Sequence, residues 1–67
     1  MIAPEDLIRV LKRTGFIELH VDENRVELKK ANLLVTIPLH DLKFNVETLK
    51  SILRQARLDA EELVNFL

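Results

Sequence analysis

Apolar and polar positions change period twice along the chain, from helical to alternating and back. In the first stretch Leu7, Ile8, Val10 and Leu11 recur at helical spacing. Pro4 suits the first helical position, where its missing N–H is not needed, and Glu5 and Asp6 complement the positive helix start. Lys12 and Arg13 suit the negative end, Gly15 is a natural C-terminal cap, and Phe16 stands where a side chain often folds back onto the last turn. A first helix is predicted here.

The period then becomes two. Ile17, Leu19 and Val21 alternate with Glu18, His20 and Asp22, and Val26 and Leu28 alternate with Arg25, Glu27 and Lys29. A turn at Glu23-Asn24 would set Asp22 opposite Arg25, His20 opposite Glu27 and Glu18 opposite Lys29. The other face would pair Leu19 with Leu28 and Val21 with Val26. A one-residue slip would destroy both patterns, so the register is well specified. A second turn at Ala31-Asn32, with Asn in the left-handed conformation, sets Leu28 opposite Val35 and Val26 opposite Ile37. Leu33 completes the inward set, and Pro38 ends the strand.

Residues 39–44 read as a connection. Asn45 is a good N-cap, and Val46, Leu49, Ile52, Leu53 and Ala56 form the stripe of a second helix. Asp59 and Glu62 make a capping-box pair with Leu58 and Leu63 as the hydrophobic staple, so a short last helix starts near Ala60. The predicted class is α+β in the order α-β-β-β-α, with that short helix after it. A three-stranded antiparallel sheet presents one apolar face for the helices to cover. Residues 1–67 form a single domain in this reading, with no repeat or boundary.

Composition narrows the function classes. The chain has 67 residues, 48% apolar and 31% charged, a globular ratio. It has no cysteine, hence no disulfide and no thiolate site. No apolar run reaches the roughly 20 residues of a membrane helix, and the first residues lack the basic and apolar parts of a signal segment. A cytoplasmic, membrane-free protein is expected. The net charge of −1 lacks the basic excess usual in nucleic-acid binders, although a local patch can still bind.

The run Val35-Thr36-Ile37-Pro38-Leu39-His40, then Thr48-Leu49-Lys50-Ser51-Ile52-Leu53-Arg54-Gln55-Ala56, then Leu58 and the acidic start Asp59-Ala60-Glu61-Glu62 resembles the HicA (YcfA-like) family. The helix ending in Gly15-Phe16 resembles the family's opening. The resemblance implies a fold similar to the double-stranded-RNA-binding domain. It also implies messenger-RNA cleavage restrained by a HicB-like partner, with a catalytic histidine in a glycine–serine–histidine-like run at the start of the second strand. Here that stretch reads Asp22-Glu23-Asn24-Arg25, and the histidine position falls on Asn24 or Arg25. Neither is a general base near neutral pH. Arg57 stands where the family usually has glycine, and family toxins tend to be basic where this chain is slightly acidic.

The expected function is therefore a HicA-like toxin–antitoxin protein without ribonuclease activity. It would act by binding a HicB-like protein, a second copy of itself or structured RNA. The alternative is an active ribonuclease using His20 or another residue. His20 is a weak catalytic candidate, since imidazole is the usual acid–base group for RNA cleavage but lies on the first strand. His40 reads as structural or loop-orienting. His40 with Asp41, or His20 with Asp22, falls short of the four ligands of a structural zinc, so neither metal nor cofactor is expected. Ser51 has no glycine elbow to make it a nucleophile. Lys50, Arg54 and Arg57 share one helical face and, with Lys12 and Arg13, are the candidate RNA contacts. The open sheet face has no aromatic residue for base stacking. Two sheet edges and Leu34 on the open face favour association, as a homodimer or a tight heteromeric complex.

Overall fold

The computed structural model describes residues 2–40 and 42–67. Its elements are α1 (Pro4–Arg13), β1 (Ile17–Val21), β2 (Arg25–Lys30), β3 (Leu33–Pro38), α2 (Val46–Ala56) and α3 (Ala60–Phe66). The strands form one antiparallel sheet in the order β1-β2-β3.

The β2–β3 register is the one the alternation dictates, with Val26 opposite Ile37, Leu28 opposite Val35 and Lys29 opposite Leu34. Val26, Leu28, Val35 and Ile37 are buried on the face the helices cover, with α2 packed against β3. Leu7, Val10 and Leu11 of α1, Ile52 and Leu53 of α2, and Phe44 from the connection pack into the same core, and no buried side-chain polar atom lacks a partner among the described residues. Phe44 is tied in by its backbone N–H, which donates to the Ile2 carbonyl at 3.0 Å.

Both long helices stop in the same way. After α1, the Phe16 N–H donates to the Leu11 carbonyl, Gly15 takes φ +106°, and Phe16 is buried. After α2, the Leu58 N–H donates to the Leu53 carbonyl, and Arg57 takes the left-handed position at φ 54°. Each cap satisfies an orphan carbonyl and seats an apolar side chain in the core. The α3 start is the expected capping box, with Asp59 Oδ1 accepting from the Glu62 N–H and Glu62 Oε1 accepting from the Asp59 N–H.

Three expectations are corrected. The β1–β2 ladder holds Val21 opposite Val26 and His20 opposite Glu27, but a bulge between Glu18 and His20 then shifts it. Glu18 faces Leu28 instead of Lys29, and its carboxylate reaches Lys12 on α1 at 2.7 Å. The bulge thus exchanges a cross-strand ion pair for one between strand and helix. The supposedly inward Leu19 and Val21 are more than half exposed, as is Ile17. The second correction is the β2–β3 turn, where Ala31, not Asn32, is left-handed at φ 52°. The third is Val46, expected in the buried stripe of α2 but 59% exposed at its first turn.

The strained cap gives a stability prediction. Arg57→Gly removes the Cβ clash of the left-handed position and is expected to stabilise the fold by about 0.5–1 kcal/mol net of the greater chain entropy of glycine. Leu28→Ala is expected to cost about 3–4 kcal/mol, much of the total for a domain this small. Urea denaturation followed by circular dichroism measures both, and a lower midpoint for Arg57→Gly would contradict the first.

Candidate functional site

The β1–β2 turn, residues 22–25, is where the resemblance puts catalysis, and its organising group is a carboxylate. Asp22 Oδ1 accepts hydrogen bonds from the backbone N–H of Asn24 at 2.8 Å and of Arg25 at 2.9 Å. Its Oδ2 lies 2.8 Å from His20 Nε2. Aspartate is favoured at such turns because its side chain can stand in for a backbone acceptor. The contact with His20, followed by the bonds from the Asn24 and Arg25 amides, holds the Asp22 carboxyl at about 2, below its ordinary 3.8. The turn therefore carries a fixed anion.

Basic groups at both ends of β1 are also engaged. Arg25 Nε donates to Glu27 Oε2 at 3.0 Å, and Lys12 meets Glu18. The turn also anchors the end of β3, since the Leu39 N–H donates to the Asn24 carbonyl at 2.9 Å. His40 follows directly and makes interactions of its own. Asp41, named with His40 as a possible metal pair, lies outside the described residues. Among the described residues no three or more His, Cys, Asp or Glu side chains gather as a metal site. Among the described residues no helix is long and apolar enough to cross a membrane.

His20 is opposite Glu27 across the strands, as the alternation predicts, yet its hydrogen bond runs to Asp22, just past the end of its own strand. The candidate RNA contacts divide into two groups. Lys12 and Arg13 end α1, with Lys12 already paired. Arg54 and Arg57 are exposed at the end of α2, whereas Lys50 lines an apolar groove shared with α3. No ion pair engages Arg13, Lys50, Arg54 or Arg57 among the described residues.

Two features escaped the sequence reading. One is the role of Asp22 as the hub of the turn. An aspartate two residues before Asn24 is the signal that could have found it. The other is Gln55 of α2, whose Oε1 accepts from the Thr36 N–H of β3 at 3.2 Å and so occupies a backbone donor of a sheet edge. Nothing in the local pattern marks that contact, which spans 19 residues of sequence.

Because the Asp22 carboxyl is depressed in the folded state, its hydrogen bonds contribute stability above pH about 3.8, and this is lost as pH falls toward about 2. Asp22→Asn is expected to lower stability at neutral pH and to flatten its pH dependence across that window. Denaturant midpoints measured at several pH values check this, and parallel curves for the two proteins would contradict it.

The family model of the HicA toxin of bacterial toxin–antitoxin systems matches residues 4–58. No curated protein matches the chain.

Proposed function

The chain belongs to the HicA toxin family, and we propose that it acts by binding, with the family's RNA hydrolysis lost at the β1–β2 turn. The observation that carries this reading is the Asp22 carboxylate seated in the turn. Its two oxygens occupy the backbone donors of Asn24 and Arg25 and the ring nitrogen of His20. A phosphodiester brought here would meet Asp22 and the neighbouring Glu23 and find those donors taken. Neither Asn24 nor Arg25 supplies a base near neutral pH.

Binding in this reading is to a HicB-like antitoxin protein, to a second copy of the chain or to structured RNA, in the cytoplasm. For RNA, Arg54 and Arg57 with Lys50 provide cations that no ion pair engages among the described residues, aided by Arg13 and Lys12. A second reading is favoured by one distance. The 2.8 Å contact between His20 and Asp22 is the arrangement by which a carboxylate fixes the ring of a general base. In that reading His20 would draw a proton from a ribose 2′-hydroxyl as its oxygen bonds to phosphorus and the bond from phosphorus to the 5′-oxygen breaks, giving a 2′,3′-cyclic phosphate and a 5′-hydroxyl protonated by water.

Purified protein incubated with mixed cellular RNA separates the two. No turnover above background is expected, whereas cleavage abolished by His20→Ala would establish the second reading. For RNA binding, Lys50→Glu with Arg54→Glu is expected to abolish association without unfolding, since both residues are exposed. Single substitutions that each remove one phosphate-binding cation should also reduce the salt slope by about one. Unchanged affinity would leave the protein-partner arm standing alone.

A further inference from the structure

The groove between α2 and α3 has a composition that matches itself. Its walls include Val46 and Leu49 of α2 with Leu63 and Val64 of α3 and the terminal Leu67, and its volume is about 470 Å³. Val46, Val64 and Leu67 are each about 60% exposed or more. The short helix α3 is apolar in two directions. Leu63 faces the core, and Val64 and Leu67 do not. A helix buried on one side shows one apolar stripe, and apolar residues beyond that stripe call for a second neighbour. Exposed apolar residues gathered in one concave patch mark an interaction surface.

The charges choose the occupant. The groove is lined by one acid, Asp6 of α1, and one base, Lys50 of α2. Asp6 Oδ1 accepts from Arg9 at 3.0 Å, and Lys50 has no ion pair among the described residues. A uniformly charged partner would gain at one of these residues and lose at the other, whereas a surface carrying one charge of each sign gains at both. A two-fold interface makes every contact twice, so a surface with one of each sign pairs Asp6 with the Lys50 of the second copy and Lys50 with its Asp6.

We propose that this groove is the surface through which two copies of the chain associate about a two-fold axis. The apolar walls of α2 and α3 supply the contact area, and the two Asp6–Lys50 pairs fix its register. The proposal rests on the self-association arm of the reading above and shares Lys50 with its RNA arm. A dimer that pairs Lys50 with Asp6 leaves Arg54 and Arg57, which lie outside the groove, as the cations of that helix end open to RNA. The β1 edge is a poorer candidate, because a bulge interrupts it and bulged edges resist pairing with another strand.

The experiment is sedimentation equilibrium on the full chain, with circular dichroism to verify folding. The wild type is expected to show a monomer–dimer equilibrium in the micromolar to millimolar range. Val64→Glu, at an exposed position, is expected to weaken it by at least about thirtyfold. Asp6→Lys makes the groove wholly basic and Lys50→Asp makes it wholly acidic, so each variant alone is expected to be monomeric. Mixed in equal amounts, they are expected to form a heterodimer, which no rearrangement within one chain can produce. A wild type monomeric throughout the range would overturn the proposal. So would a dimer indifferent to Val64→Glu, or a mixture that stays monomeric. These failures would leave the RNA arm standing, since it is tested separately at Arg54 and Arg57 outside the groove.

Discussion

The apolar face shared by β2 and β3 is the constraint on which the rest of the structure depends. Val26 against Ile37 and Leu28 against Val35 leave almost no surface exposed, and their register admits no slip without turning charged side chains into the core. Each element outside the sheet then has a place to satisfy. Both long helices end in left-handed caps that drop an apolar residue, Phe16 or Leu58, into the core. At the first cap glycine meets the backbone requirement. At the second, arginine accepts the strain, so the fold retains this geometry even where the residue is poorly suited to it.

Burial is uneven across the sheet, and the two edges are handled differently. The β3 edge is closed by Gln55 on the Thr36 amide and by Pro38 at the strand end. On β1 every residue is exposed, and the strand is held from its ends. Lys12 grips Glu18, and Asp22 locks the turn. Such a strand depends on polar contacts where its neighbours depend on apolar burial. Acid should therefore loosen β1 before the β2–β3 pair, because protonation of Asp22, held at about 2 in the fold, releases the turn that ends the strand.

Legibility in the sequence followed the same division. The alternation on β2 and β3 reads directly into register because both partners bury one face, and a two-residue period leaves a single solution. On β1 the identical pattern misled. Leu19 and Val21 have the right spacing to point inward, but burial also needs a helix above them, which periodicity along one strand cannot reveal. The bulge is invisible for the same reason, since the ion pair between Glu18 and Lys12 joins elements whose approach is set by packing. Arg57 was legible as a departure, and its left-handed backbone follows from the helix having to turn back toward Leu58. At the candidate site, the lack of a histidine at the turn could be read from the residues. That Asp22 ties the turn together could not, because it depends on two amide directions and one ring position.

On the binding reading, the turn is also a case of a fold that persists while a chemistry disappears. A loop poised for phosphate leaves backbone amides open to an incoming anion. Here the amides of Asn24 and Arg25 are satisfied by a carboxylate of the same chain. The residue that closes the turn to phosphate is thus the one that stabilises it, and the hairpin gains a permanent acceptor. Reversal would need more than a histidine at position 24. The Asp22 carboxylate would still compete for the amides at far higher effective concentration than any free phosphate, and Glu23 would still repel it. On this reading, recovery of hydrolysis would therefore require removing the acid as well as supplying the base. For that reason Asp22, more than the absent histidine, is the residue that on this reading separates the chain from an RNA-cleaving relative.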